Sequence, residues 1–406
     1  MCWLFHSRVD IRKSIFEKWG TSMLKPKLTL RQIYGDNAVY TPRTPYSDNP
    51  WMMDDCHKLD ALTAREVAIA DIPVLVHRAT QTAKAKKLHE LADLDWVEQP
   101  YTYETQEEYL AQLDAWCEEG KTIVCQYLHD AEHMSRNCYW MDATKFNELN
   151  TKAYIDHLID SKYVPSRLNI ELYRLSDAMK NWKPPVVLKP GDDSPTSGGY
   201  GVIICQNQEE LTEGLRQFRM NGTESIIIEE LLQAKDNYSC QFVYSEALGI
   251  QYLGASQQMT DDNGLYEGNV IVEEVPEKVI EVGRHIMERG VAEGFVGVAG
   301  FDLIVTEAGD VQAIDLNFRQ NGSTSMLMFH EALGKPVNKF ATYASKSVEG
   351  NESFYQKIEQ YIKQGVLLPL AYYDGDYFDN KVESRFVGVW YADTLDEIEE
   401  LEEQLL

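Results

Sequence analysis

The sequence predicts an α/β (α+β) protein built from several domains. Three observations carry this expectation. The 406 residues suffice for roughly two to four domains. Short apolar strands alternate with amphipathic helices between residues 71 and 128, the pattern of an α/β layer. A well-alternated antiparallel hairpin lies at 301–317.

Composition narrows the class. Hydrophobic residues are 44% and aromatics 11%, enough to build real cores, which excludes a disordered or collagen-like chain. Lys and Arg number 38 against 65 Asp and Glu, a net charge of −27. An acidic surface repels phosphate backbones and anionic headgroups, so neither nucleic acid nor a membrane is expected as partner. The seven cysteines (2, 56, 117, 125, 138, 205, 240) show no C-x-x-C pair or zinc spacing and are expected as reduced thiols in a cytoplasmic protein. The first twenty residues carry too much charge for a signal peptide, and no stretch reaches the ~18 apolar residues of a membrane span.

Element by element, 40–50 carries three prolines and reads as a loop. Strands are expected at 71–76 and 122–128, with helical segments at 84–92 and 106–117, the latter with Tyr109, Leu110 and Leu113 on one stripe. Helices are expected at 147–158 and 169–178, the second ending before Pro184-Pro185. Strands then follow at 186–189, 202–205, 225–229, 238–244 and 250–256, with helices at 209–218 and 279–288. The hairpin strands are 301–306 and 311–317, followed by a helix at 324–333, a strand at 386–391 and an acidic helix at 396–405 with Leu395, Ile398, Leu401 and Leu405 facing inward.

Three features could carry chemistry. If 307 pairs with 310 across the hairpin turn, Asp302 sits opposite Asp315, and Asn317 shares the face of Asp315. Like charges opposed on one face repel unless a cation lies between them, and this oxygen set suits Mg²⁺ shared with phosphates. A solvated hairpin face is the alternative. Second, an apolar strand delivers Lys189 before the loop Ser194–Gly201, rich in Gly, Ser and Thr, whose backbone N–H groups could fold over phosphates. It is not a Walker A loop, and a flexible surface loop is the alternative. Third, an apolar strand runs into Glu229-Glu230, with Asp236 seven residues after Glu229.

The order Lys152, Lys189, Gly loop, Glu229-Glu230, and Asp302…Asp315-x-Asn317 resembles the ATP-grasp superfamily of carboxylate–amine ligases, over about residues 146–334. The metal-ligand spacing, thirteen then two, is similar to that of D-alanine–D-alanine ligases, and the flanking regions look more like pheganomycin-type peptide ligases. The resemblance implies an ATP-grasp fold: an N-terminal α/β pre-ATP-grasp domain (1–145), a lid (146–232), a metal-bearing antiparallel-sheet domain (233–345) and a small C-terminal appendage (346–406). It implies ATP-dependent joining of a carboxylate to an amine through an acyl phosphate, with release of ADP and phosphate. Lys152 and Lys189 would bind ATP phosphates, and Ser197, Gly198, Gly199 and Gly201 would close over them. Glu229, Glu230 and Leu232 would hold adenine, and Asp236 the ribose. Asp302, Asp315 and Asn317 would bind Mg²⁺, two ions being expected, while Arg319 and Lys189 would act on the transferred phosphoryl group. Small-molecule acid and amine substrates are the expected partners, with a homodimer as the assembly. Two departures stand out: Asp315 where the family usually has Glu, and Gly300 where it often has Arg.

Weaker signals remain. His129-Asp130-Ala131-Glu132-His133 fits H-x-x-E-H, a zinc pattern if helical. Substrate lining and a plain surface helix are the other readings. Asn321, Gly322 and Ser323 precede a helix and could hold a substrate carboxylate, or simply cap it. Tyr266–Asn269 is a candidate substrate loop. The rival functions are phosphoryl transfer or thiol ligation on the same fold, a non-catalytic nucleotide binder, and a zinc hydrolase.

Overall fold

Four short apolar runs near the N-terminus pair in parallel: β1 (Ala38–Thr41), β2 (Leu75–His77), β3 (Tyr101–Tyr103) and β4 (Thr122–Cys125). β1 pairs with β4, β2 with β3, and a bridge between Tyr40 and Val74 joins the two pairs. The strand order is therefore β3-β2-β1-β4, and it reverses direction between β1 and β4. The computed structural model describes residues 23–46, 49–174, 182–192, 196, 199–260, 266–271 and 274–405. The helix Gln106–Glu118 starts where the Thr105 hydroxyl accepts from the N–H of Glu108, and Glu107 and Glu108 complement its dipole. It buries Tyr109, Leu113 and Trp116. Leu110 is only half-buried.

The expected helix 147–158 is broken. A helix runs from Ala143 to Asn150, and a single 3₁₀ turn, Lys152–Tyr154, precedes the short helix Ile155–Leu158. At the break the Thr151 hydroxyl donates to the Asn147 carbonyl, and Thr151 itself is extended. This turn swings Lys152 out of helical register.

The next four strands are antiparallel in the order β5-β8-β6-β7: β5 (Arg167–Glu171), β6 (Val186–Pro190), β7 (Ile203–Cys205) and β8 (Ser225–Glu230). The helix expected at 169–178 is corrected: Asn169–Glu171 belong to β5, Asn169 opposite Ile227 and Ile170 opposite Ile226, and 175–178 lie outside the described residues. The free edge of the apolar strand β8 supplies ladder partners that override local helical periodicity. Helix Gln208–Met220 covers one face with Leu211, Leu215 and Phe218. Trp51, from the proline-rich loop after β1, enters this core and lies 4.9 Å from the Phe218 ring.

The remaining strands form one sheet: β9 (Ala234–Ser245), β10 (Gly249–Thr260), β11 (Tyr266–Ile271), β12 (Gly297–Thr306), β13 (Val311–Asn317), β14 (Val337–Ala344), β15 (Leu367–Tyr373) and β16 (Arg385–Ala392). Its order is β13-β12-β9-β10-β11-β14-β16-β15. Helix Glu277–Ala292 buries Val279, Val282 and Ile286 in one core with Cys240, Phe242, Phe301 and Leu303. The sheet runs across residue 345: β14 before it pairs with β16 after it. Strands β14 and β15 and helix Asn351–Gln364 have no counterpart in the sequence reading, and the substrate loop expected at Tyr266–Asn269 is corrected: these residues belong to β11, where Asn269 pairs with Gln258 and Phe340. In the terminal helix Leu395–Leu405, Ile398 and Leu405 are buried.

The expectation of seven reduced thiols is also corrected. Cys117, at the end of its helix, and Cys138 are joined as a disulfide, with Cα atoms 5.5 Å apart. They are 21 residues apart, and no local motif marks a pair that only folding brings together.

Candidate active site

The hairpin β12–β13 contains a device that uniform spacing does not reveal. Near its turn Val305 opposes Val311 and Leu303 opposes Ala313, but farther along Asp302 opposes Asp315. Ile314 is the extra residue, a β-bulge. The turn also differs from expectation: Thr306 N–H, not residue 307, bonds to the Asp310 carbonyl, at 2.8 Å. Carried on without the bulge, that register would set Ile314 against Asp302. The bulge restores the carboxylate pair, and its Ile314 carbonyl accepts from Lys189 Nζ at 3.0 Å.

Period two then sorts the sheet faces. Phe301 and Leu303 point to helix Glu277–Ala292 while Asp302 points away. Directly paired residues share a face, so Asp302 joins Ser239, Ser239 joins Ser256, and Gln258 joins Asn269. The Asn237 amide donates to Gln258 Oε1 at 3.1 Å. Sequence reasoning placed β9 and β10 but missed this polar floor. Its signal is the alternation Asn237-x-Ser239-x-Gln241 between apolar residues, polar groups at positions that the fold buries.

Cations gather over the floor. Lys152 donates to Asp315. Lys189 Nζ lies 2.7 Å from Glu229 Oε1, and Arg167 lies 3.8 Å from the other Glu229 oxygen and donates to the Lys152 carbonyl at 3.0 Å. Arg167, nearly fully buried, was missed because it sits in what reads as a polar linker. Arg319 donates to Asn150 Oδ1 at 2.7 Å, and its guanidinium lies 4.7 Å from the Tyr127 ring centre. Asn317 Nδ2 reaches Asp302 Oδ2 at 3.5 Å.

The electrostatics follow from this placement. Burial, then the neighbouring Asp315, push the Asp302 carboxyl well above its ordinary range against the pull of Gln258, Lys152 and Arg319. Burial also opposes ionisation of Asp315, but Lys152 and Arg319 outweigh it and hold that carboxyl below its ordinary range. Burial lowers Lys189 despite Glu229. One carboxylate is thus neutralised by Lys152 and the other is left short of positive charge, a donor set of hard oxygens that fits Mg²⁺.

The other expected residues are more dispersed. Gly199 and Gly201 lie in the turn before β7, while Ser197 and Gly198 lie outside the described residues. Glu230 is exposed and accepts from the Ser166 N–H at 3.1 Å. Leu232 is half-buried between β8 and β9, and Asp236, on β9, faces the Gln257 amide at 3.5 Å. Ser323 is fully buried and engaged by Gln241 and Ser256, at 2.8 and 3.4 Å, rather than capping its helix. Asn321 N–H donates to Thr324 Oγ1, and its side-chain amide packs over Gly300 where any Cβ would collide with it. That amide takes the room an arginine would need at position 300.

The zinc reading required a helix across His129–His133, and the structure corrects it. The segment is a turn, with His129 buried against Tyr109 and its N–H donating to Tyr139 Oη at 2.9 Å.

Solved structures share this architecture. An N5-carboxyaminoimidazole synthetase from Staphylococcus aureus in complex with ADP aligns with TM-score 0.58 and 10% identity, over 93% of this chain and 99% of its own. An L-amino acid ligase from Bacillus licheniformis aligns with TM-score 0.53 and 10% identity, over 91% and 96%. The biotin carboxylase domain of the Hydrogenobacter thermophilus 2-oxoglutarate carboxylase, with MgADP, aligns with TM-score 0.55 and 15% identity, over 90% and 89%. At these identities the likeness establishes the fold alone. Residues 165–317 match the ATP-grasp domain model of an L-aspartate–L-methionine ligase. The fold, the site and this match define an ATP-grasp ligase that joins a carboxylate to an amine and forms ADP, a class that uses ATP and Mg²⁺.

The flanks make the assignment narrower. Residues 29–147 match the N-terminal domain of the same ligase and 331–406 its C-terminal domain. The chain belongs to the L-aspartate–L-methionine ligase family.

Proposed function

We propose that this enzyme joins a carboxylate of L-aspartate to the amine of L-methionine through an acyl phosphate, releasing ADP and phosphate. The observation that carries this reading is the match of all three parts of the chain to one ligase family named for that pair. The geometry suits the chemistry. A carboxylate is a poor acyl donor until its oxygen takes a phosphoryl group, and catalysis of that transfer is positioning and neutralisation of charge. In this reading Lys152 and Lys189 would meet the phosphates, and Arg319, bonded to Asn150 and lying over Tyr127, would meet the transferred group. Asp302, Asp315 and Asn317 would hold Mg²⁺, with two ions as the working count. Bound there, it supplies charge neutralisation along the phosphate chain. In this reading Ser197–Gly201 forms the cover that keeps water from the acyl phosphate, Glu229, Glu230 and Leu232 border the adenine, and Asp236 the ribose. A homodimer belongs to the same reading, by analogy with the biotin carboxylase domain dimer among the neighbours.

The test pairs amino acids with ATP and Mg²⁺ and reads ADP, phosphate and product mass. Aspartate and methionine together should give the dipeptide mass, and ¹⁸O in the activated carboxylate should appear in released phosphate. Release of AMP, or label retained wholly in the dipeptide, would falsify the acyl-phosphate route.

A further inference from the structure

Glu66 and Arg65 are a buried ion pair that the chemistry above does not use. Arg65 Nε and Nη2 each lie 2.6 Å from Glu66 Oε1, and Gln126 Nε2 lies 3.5 Å from the same oxygen. The second oxygen, Glu66 Oε2, is buried without a hydrogen-bond partner among the described residues. A fully buried carboxylate oxygen left unpaired is costly and asks for a donor.

Its location supplies one. Gln126 follows β4 and also donates to the hydroxyl of Tyr40 on β1, at 2.9 Å. Glu66 therefore sits at the carboxyl ends of β1 and β4, where the strand order reverses, and open α/β sheets bind ligands in that crevice. The same place abuts the floor of the active site. Ser325 Oγ donates to the Arg65 carbonyl at 3.1 Å. Tyr266 lies within electrostatic reach of both Arg65 and Asp302, and a Cβ on Gly322 would lie 2.8 Å from its hydroxyl. Tyr266 donates to Asn269 Oδ1, whose amide nitrogen is also buried without a partner among the described residues. Tyr127, next to Gln126, underlies Arg319.

We propose that Glu66 and Arg65 bind the acyl-donor amino acid, Glu66 Oε2 taking its α-ammonium and Arg65 its second carboxylate. This rests on the aspartate reading above. The choice of donor over acceptor follows from protonation. The acceptor amine must shed its proton to attack, whereas the donor's own amine must stay protonated so that it cannot compete. A buried carboxylate holds an ammonium in its charged, unreactive form. Burial raises Glu66 itself while Arg65 pulls it back, so an arriving ammonium completes a half-satisfied pair. The bland alternative is a structural pair fastening the N-terminal domain to helix Thr324–Leu333.

The test uses the full chain with Mg²⁺ and a non-hydrolysable ATP analogue, titrated with L-aspartate and with succinate, which lacks the ammonium. The unaltered chain should prefer aspartate by about 10- to 100-fold, the worth of one hydrogen bond to a charged group. Glu66→Gln should erase that preference while nucleotide affinity stays unchanged. Arg65→Gln should erase the preference for aspartate over alanine. A Glu66→Gln chain that still prefers aspartate as strongly overturns the proposal. Should that variant fail to fold, a crystal structure of the unaltered chain with aspartate decides: an ammonium bound away from Glu66 overturns it too. If the unaltered chain ignores aspartate but ligates another amino acid, the substrate reading falls, and that amino acid against its des-amino analogue tests Glu66 in the same way.

Discussion

Asp302 and Asp315 oppose each other across a strand pair, and Lys152 is bonded to Asp315. Opposed like charges destabilise a sheet, and sites tuned for function are often held against the interest of stability. Asp302→Asn is therefore expected to raise the melting temperature of the ligand-free chain while lowering turnover by orders of magnitude, read by thermal unfolding and ADP release on the same preparation. An unchanged turnover would remove Asp302 from the metal site. Arg319 argues from shape rather than charge. Its planar group lies over Tyr127 and donates to Asn150, and an ammonium can do neither in the same way. Arg319→Lys should lose about 10²–10³ in kcat, with a KM for ATP little changed. The pairing of Asp302 with Asp315 was legible in the sequence because strand period two fixes which side chains share a face, whereas Arg319 was named only through the family resemblance. Arg65, Glu66 and Arg167 were not legible, because they stand in short turns or at strand starts where no period operates and only the tertiary fold brings them to the site.

At the scale of elements, the Ile314 bulge shows both the reach and the limit of pattern reading. The pairing of Asp302 with Asp315 was foreseen, but from an assumed turn register that the molecule does not use. The same lesson applies to β5, whose last three residues, Asn169–Glu171, read as helical until the edge of β8 is there to pair with them. Trp51 is the reverse case: a loop residue, unremarkable in sequence, that completes the core of the four-stranded sheet and its helix. Truncation of a buried aromatic costs about 3–5 kcal/mol. Trp51→Ala should therefore speed hydrogen exchange in β6, β7 and helix Gln208–Met220 and leave β9–β13 as before. Uniform acceleration across the whole chain would show that these regions do not open separately.

At the scale of the whole molecule, acid stability turns on buried imidazoles. Burial lowers His89 to about 4 and His129 to about 3, from an ordinary value of 6.5. Above pH 6.5 both are neutral folded or unfolded, and this contribution to stability is fully present. As pH falls from 6.5 toward 4, the unfolded chain binds protons that the folded chain refuses, and stability is lost. At about 1.4 kcal/mol per pH unit, His89 is worth about 3 kcal/mol and His129, whose window reaches down to about pH 3, about 5 kcal/mol. His89→Leu should flatten the fall in melting temperature between pH 6.5 and 4, and an unaltered slope would mean that His89 is protonated in the folded chain. None of this was visible in sequence, where His89 reads as one polar position on an amphipathic helix. What composition did show at this scale, ample cores under an acidic surface, is compatible with many folds, and the order of motifs was needed to choose among them.

The reach of Trp51 bears on how such enzymes could be recombined. The segment 165–230 looks like a cassette, a sheet and helix with their own core and an enclosing pair of junctions. Its core is not closed without a side chain contributed more than a hundred positions earlier. A chimera that imports this cassette from a relative should fold well only if residue 51 and its neighbours travel with it. Breeding by single crossovers would thus separate parts that must be inherited together.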